Sequence, residues 1–362
     1  MSKTKDQVAD EALEAVLPLK RAGVGVTMGG GKTLIGLRHM NANYTDFAKF
    51  LVVGPKNEVY NTWKEEAEKH GLSYLLEHFE FTTYLSLTKR DPSDYDVIYL
   101  DECHSLKENH EAWLNSYTGK ILGLTGTPPK YEKSEKGRMV AKFCPIVYKY
   151  ITDEAVEDGI LNDYEIIIHG LELSIVKNLP MKSKTGSMWF SSERDSYNYW
   201  TNRIDEAPTS KMLQVARIMR MKAMMEFKTK ENYTKILMGQ ITNKLLIFAN
   251  TQDQADRMCT HSFHSGNPNS DQNLIDFKSG KIMKLSCVHQ LSEGVNIPNL
   301  KEEIIMHAYS NERKSSQRIG RGLRLDPDDK ATIHILCYKN TVDETWVKNA
   351  LSGFDQSKIT WK

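Results

Sequence analysis

The stretch Thr27–Leu34, TMGGGKTL, sets three glycines directly before a lysine and a threonine. Such a run is either a phosphate cradle or a flexible turn. The strict pattern G-x-x-x-x-G-K-[ST] wants a further glycine where Val26 stands, so the segment alone leaves both readings open. A glycine turn binds phosphate when it follows a buried strand and opens a helix, because free backbone N–H groups and the helix N-terminus then converge on the anion. AGVGVTM upstream reads as a strand, and TLIGLRHM downstream as an amphipathic helix with Leu34, Ile35 and Met40 on its apolar face. In that setting Met28, Gly29, Gly30 and Gly31 would line the cradle, Lys32 would reach the terminal phosphates of a nucleotide, and the Thr33 hydroxyl would hold Mg2+.

Two further stretches favour the cradle. DVIYLDECHS ends an apolar run with Asp101 and Glu102, where strand ends meet a phosphate loop at the carboxyl edge of a parallel sheet. Asp101 is placed to bind Mg2+, directly or through water, and Glu102 to orient and deprotonate the water that attacks the γ-phosphate. In SSQRIGRGLRLDP, a helix would line up Gln317, Arg321 and Arg324 at i, i+4 and i+7. Gly320 and Gly322 would each cost about 1 kcal/mol in an exposed helix interior, so close approach explains them better than a solvated helix does. Arginines brought from a second lobe to a γ-phosphate would stabilise transition-state charge and make hydrolysis depend on lobe closure.

The chain of 362 residues has room for two ordinary domains. Lysine and arginine total 48 against 47 for aspartate and glutamate, so a nucleic-acid contact has to come from a local groove. Five scattered cysteines without a C-x-x-C pair speak against a cysteine zinc site or a disulfide framework, and fit a reducing cytoplasm. The charged N-terminus is no secretory signal, and no apolar run approaches the ~20 residues of a membrane helix.

Apolar runs alternate with helical segments in two series: AGVGV, FLVVG, FEFTTYLSL, DVIYL and KILGL, then DYEIII, KLLIFA, IMKLSCV, EEIIMHA and ATIHILC. Each series predicts an α/β lobe with a parallel sheet. The division expected is residues 1–155 and 156–362. A segment of about residues 181–240, polar at first and then helix-rich, reads as a loop leading into long helices carried by the second lobe.

With these residues in place, the chain resembles the superfamily 2 helicases and translocases, which have two tandem RecA-like lobes. GGGKT (Gly29–Thr33) looks like motif I, DECH (Asp101–His104) like motif II, LTGTP (Leu124–Pro128) like motif III and QRIGRGLR (Gln317–Arg324) like motif VI. VVGPKNEVYNTWKEE resembles motif Ia, TTYLSL motif Ib, IFANTQDQADRM motif IV and SEGVNIPN motif V. The combination is nearer to Swi/Snf-type ATPases and small phage or restriction-type helicases than to DEAD-box RNA helicases.

The resemblance implies an ATP-driven motor on DNA that unwinds, remodels or branch-migrates it. RNA as track, duplex movement without strand separation, and an ATP-switched clamp or recruiting subunit are the alternatives. It also implies Gly294 and Asn296 at the nucleotide, although Val288 replaces the usual motif V hydroxyl. Gln7 sits where an adenine-reading glutamine belongs, and a plain surface glutamine fits that position as well. His104, Thr125 and Thr127 would relay between site and track. Pro55, Lys56, Thr83 and Tyr84, then Asn250, Thr251 and His264, would contact the nucleic-acid backbone. No extra targeting module is recognisable, so targeting is expected from the core, the helical insertion or a partner protein, on a monomeric chain. Tyr197, Tyr199 and Trp200 in SYNYW read as helix packing before base stacking, and Cys259, His261 and His264 read as a strand-to-helix loop before a metal site.

Overall fold

The computed structural model describes residues 2–182, 186–288, 297–308, 318–319 and 329–362. The chain forms two compact units, passing from one to the other at Asp163 and Tyr164. That lies beyond the expected division at 155, because the short helix starting at Thr152 is held to the first unit. Thr152 Oγ1 is 2.7 Å from Thr27 Oγ1, and Asp158 accepts the Lys3 backbone N–H at 2.9 Å.

The first unit runs α1 (Lys5–Val16), β1 (Arg21–Val26), α2 (Lys32–Ala42), β2 (Phe50–Gly54), α3 (Glu58–Lys69), β3 (Phe79–Thr83), β4 (Val97–Asp101), α4 (Glu111–Ser116), β5 (Lys120–Thr125), α5 (Glu135–Phe143), β6 (Ile146–Tyr150) and α6 (Thr152–Glu157). Its sheet has the order β3-β2-β4-β5-β1-β6, with every neighbouring pair parallel. Strands β2 and β4 are buried along their whole length, as continuous apolar runs in a sheet covered on both faces require. Gly71 after α3 adopts φ +68°, the left-handed conformation in which a glycine stops a helix. Edge strand β6, absent from the expected series, alternates half-buried and exposed positions after Pro145, with only Tyr150 buried, and carries no apolar run to announce it.

The second unit runs β7 (Asp163–Leu171), β8 (Leu179–Lys182), β9 (Met188–Ser191), α7 (Glu193–Asp205), α8 (Ser210–Glu226), α9 (Lys228–Gln240), β10 (Leu245–Phe248), α10 (Gln252–Met258), β11 (Ser262–Phe263), α11 (Ser270–Ser279), β12 (Lys284–Cys287), β13 (Glu302–Ile305), β14 (Lys330–Tyr338), α12 (Val342–Leu351) and β15 (Ile359–Trp361). Its sheet order is β11-β12-β10-β13-β14-β7-β15. The stretch expected as a polar loop instead contributes to an antiparallel hairpin of β8 and β9. Exposed Met188, Trp189 and Phe190 supply the β-propensity there, and the charged flanks hide it in a composition reading.

A charged pair lies inside this second core. Lys230 Nζ is 2.5 Å from Asp343 Oδ2, with both residues fully buried, and sits 4.9 Å over the Tyr338 ring. Asp343 Oδ2 also accepts the Tyr338 backbone N–H, so the carboxylate is bonded from two sides.

Candidate functional site

The carboxyl ends of β1, β4 and β5 bring three sequence motifs of the first unit together. After β1 the chain turns through Gly29 (φ +83°) and Gly31 (φ +97°), both left-handed conformations that favour glycine, and α2 starts at Lys32. The valine in place of the first motif glycine has a structural counterpart: a Cβ on Gly30 would lie 2.9 Å from Val26 Cγ1. Buried Val26 fills space that a glycine would leave open, and Gly30 accommodates it. Met28, Gly29, Gly31, Lys32 and Thr33 remain partly exposed around the turn.

At the end of β4, Glu102 has φ +51° and ψ +54°, a left-handed conformation for a residue with a side chain. Such a position costs about 1–3 kcal/mol and needs surrounding structure to hold it. That structure is visible. Lys32 Nζ donates to Glu102 Oε1 at 2.8 Å, and His104 Nδ1 lies 3.3 Å from Glu102 Oε2. His104 Nδ1 is also 2.8 Å from Thr125 Oγ1, which accepts the Thr127 backbone N–H at 3.1 Å. The GGGKT, DECH and LTGTP stretches are therefore joined by one chain of polar contacts.

Asp101 is held from its far side. Trp63 Nε1 donates to Asp101 Oδ2 at 3.0 Å, and the Tyr84 hydroxyl donates to the Asp101 carbonyl at 2.8 Å. Burial, then the adjacent Glu102 charge, push Asp101 up to about 6 despite Lys32 and the Trp63 hydrogen bond. Burial acts to raise Glu102 as well, but Lys32 and His104 outweigh it and bring that carboxyl down to about 2. Two adjacent carboxylates thus have opposite environments.

Other expected residues divide. Pro55 and Thr83 are half-buried and Lys56 is exposed, whereas Tyr84, Asn250 and His264 are buried. The side chains of these three, expected on a nucleic-acid track, are turned into the interior of their units. Tyr84 serves Asp101, and His264 Nε2 lies 2.8 Å from Asp256 Oδ1. The backbone of Asn250 is bonded to Gln254, and Thr251 Oγ1 caps α10 by accepting the Gln254 N–H. Gln7 closes a capping box at the start of α1, its Oε1 accepting the Thr4 N–H at 2.8 Å. Tyr197 is buried and its hydroxyl accepts the Val342 N–H, so it packs as expected, but Tyr199 is exposed. Cys259 points at the Lys284 carbonyl while His264 is bonded to Asp256, and no group of three candidate metal ligands occurs among the described residues.

Gln317, Arg321, Arg324, Gly294 and Asn296 lie outside the described residues. Of the motif VI stretch, Arg318 and Ile319 are described, and both are buried. Arg318 donates to the His307 carbonyl at 3.2 Å and lies 5.1 Å from the Phe248 ring centre.

Sequence reasoning missed Trp63, Gly126 and Arg318. A Cβ on Gly126 would meet Lys32 Nζ at 2.8 Å, so this glycine keeps the lysine's place clear. Trp63 carried a signal, since a tryptophan on the inner face of an otherwise charged helix is a buried anchor. Its partner Asp101 is distant in sequence and only the sheet order reveals it.

A parallel sheet with a glycine turn between β1 and α2, and with acidic residues at the end of β4, defines a P-loop nucleotide hydrolase with a second α/β unit. Two family models match in chain order: the type III restriction enzyme res subunit over residues 4–130 and the helicase conserved C-terminal domain over residues 228–326. The chain belongs to the superfamily 2 helicases and translocases, enzymes that hydrolyse ATP in a nucleic-acid-dependent manner. It is 23% identical to the DNA 3'-5' translocase XPB2 of Sulfurisphaera tokodaii over 378 aligned positions, covering 92% of this chain and 81% of that one. Among solved structures, a fragment described as an HsdR subunit of a type I restriction enzyme from Vibrio vulnificus YJ016 matches with a TM-score of 0.62 at 15% identity, covering 98% of this chain and 67% of that one. The Hef helicase domain of Pyrococcus furiosus matches with a TM-score of 0.55 at 13% identity, covering 94% and 97%. These neighbours share the architecture of two RecA-like lobes.

Proposed function

We propose that this chain is a DNA-dependent ATPase that uses hydrolysis to move along DNA. The observation that carries the reading is the polar chain Lys32–Glu102–His104–Thr125, which ties the phosphate loop, the acidic strand end and the third motif within contacts of 2.8 to 3.3 Å. DNA as the track is supported by the likeness to a DNA translocase over most of both chains.

In this reading the backbone of Gly29–Gly31 and the α2 N-terminus hold the phosphates, and Lys32 swings from Glu102 to the terminal phosphate. Loss of that ion pair removes the main influence keeping Glu102 acidic. Its basicity rises when the attacking water needs a base. Thr33 and Asp101 would hold Mg2+. Asp101 fits the role because burial and the adjacent Glu102 charge disfavour its carboxylate more than Lys32 and the Trp63 hydrogen bond favour it, a balance that a cation would reverse. Mg2+ there would neutralise phosphate charge. His104 reports the state of Glu102 to Thr125 and Thr127, whose Oγ1 is buried with no partner among the described residues. Arg321 and Arg324 are assigned transition-state stabilisation on their sequence motif alone.

The test is an ATPase titration with single-stranded DNA, blunt duplex and RNA, run beside displacement of a third strand from duplex. Stimulation by DNA with third-strand displacement supports movement on DNA. Stimulation by RNA alone, or DNA binding without displacement, would refute it in favour of an RNA motor or a static clamp.

A further inference from the structure

Helices α7 and α8 pack against each other as an antiparallel pair joined by the turn Glu206–Thr209. At this turn they enclose an open cavity of about 210 Å3, lined among others by Trp200, Arg203, Pro208, Lys211 and Met212, with Glu206 as the one acidic side chain. Tyr199 is 55% exposed and meets the Trp200 ring edge-on at 5.0 Å, so an aromatic face is offered to solvent beside the cavity.

The charge on α8 is mostly of one sign. Lys211, Arg217, Arg220 and Lys222 stand along it against a single acidic residue, Glu226, at its C-terminal end, in a chain whose net charge is only +1. Lys211, Arg217 and Lys222 are exposed, and Met212, Val215, Ile218 and Met219 are exposed between them. Arg220 turns inward, 5.4 Å over the Tyr197 ring and donating to Thr201 Oγ1. A surface helix built only for solubility would mix both signs and hide its apolar side chains. Cations alone would suit any polyanion. Cations interleaved with an aromatic ring and apolar side chains suit a polyanion whose bases are unpaired and able to stack, because a duplex buries its base faces.

We propose that the tip of the α7–α8 pair is a binding site for single-stranded DNA, with Tyr199 stacking a base, the cavity beside Trp200 and Met212 receiving its neighbour, and Lys211 and Arg203 on the phosphates. This deepens the reading of the chain as a DNA-dependent ATPase and rests on it. The site serves to hold a strand that the motor has separated or that already stands single.

The experiment measures binding of a labelled oligothymidylate, an oligouridylate and a blunt DNA duplex by fluorescence anisotropy, for the wild-type chain and for Tyr199→Ala, Tyr199→Phe and Lys211→Glu. Both positions are exposed, so the variants are expected to fold. Loss of one base stack or one phosphate contact predicts about tenfold weaker oligothymidylate binding for Tyr199→Ala and for Lys211→Glu, with Tyr199→Phe unchanged. Duplex binding of Tyr199→Ala should stay within about twofold of wild type, since no base is stacked there. Unchanged oligothymidylate binding in Tyr199→Ala, equal weakening on single strand and duplex, or a preference for oligouridylate overturns the site. Concentration-dependent self-association abolished by Tyr199→Ala assigns the groove to a second copy of the chain and also overturns it. DNA-stimulated ATP hydrolysis is read in parallel. If it is absent in the wild type while Tyr199→Ala still weakens oligothymidylate selectively, the motor reading falls and the site stands. If it is present and both variants bind as wild type, the site falls and the motor reading stands.

Discussion

Lys32 and Glu102 are paired at 2.8 Å, the phosphate-loop lysine donating to the carboxylate expected to activate water. Each therefore neutralises the other until a nucleotide competes for the lysine. Glu102→Gln removes both the base and that competition. Turnover should fall by at least about a hundredfold, the lower range for loss of a general base, while ATP binding stays as tight as in the wild type or becomes tighter. Equilibrium binding of a fluorescent ATP analogue beside steady-state hydrolysis checks this, and weaker binding would contradict the competition.

Gly126 and Gly36 separate a functional glycine from a structural one. An added Cβ at Gly126 would lie 2.8 Å from the mobile end of Lys32, whereas at Gly36 it would lie 2.5 Å from Cη2 of fully buried Trp63. Gly126→Ala should leave stability within about 0.5 kcal/mol and lower hydrolysis by about tenfold or more through displacement of the lysine. Gly36→Ala should cost about 1–3 kcal/mol of stability by overpacking. Chemical denaturation and steady-state hydrolysis read both.

Much of the first unit was legible because a parallel sheet covered on both faces writes its strands as continuous apolar runs, and FLVVG and VIYLD needed no further clue. The glycine turn and the acidic strand end were legible because their chemistry fixes residue type and spacing. Trp63 on Asp101, and Tyr84 turned inward to the same residue, were not, since contacts across a sheet depend on strand order and strand order leaves no mark in local periodicity. The β8–β9 hairpin was hidden for another reason. Short exposed strands lack a buried face, and alternation that faces water on both sides looks like loop.

The buried pair of Lys230 and Asp343 is a stability element of the second unit. Lys230→Met leaves the Asp343 carboxylate without its cation and should destabilise by about 3–5 kcal/mol. Combining it with Asp343→Asn, which removes the charge but keeps an acceptor for the Tyr338 N–H, should recover part of that loss. Denaturant midpoints of the two single variants and the double variant give the cycle. Additive losses would show that the pair acts independently.

His39 gives the first unit an acid sensitivity. Its ring is buried, 3.0 Å from the Tyr99 hydroxyl, and burial, with a smaller push from Lys120, brings its pKa from 6.5 down to about 4. The folded chain holds this ring neutral while the unfolded chain protonates it below pH 6.5. Stability should therefore fall as pH drops from 6.5 towards 4, with a limiting slope of about 1.4 kcal/mol per pH unit from this group. Denaturation at pH 7 and pH 5 for the wild type and His39→Gln checks this, the variant losing that part of the slope. An unchanged slope would exclude His39 as its source.

The most direct test of the account is the rate of ATP hydrolysis with and without DNA, for the wild-type chain and Glu102→Gln. The account predicts hydrolysis that rises about tenfold or more on adding DNA, and a variant that hydrolyses at background with or without it. A wild-type rate indifferent to DNA, or DNA-stimulated hydrolysis persisting in Glu102→Gln, would contradict it.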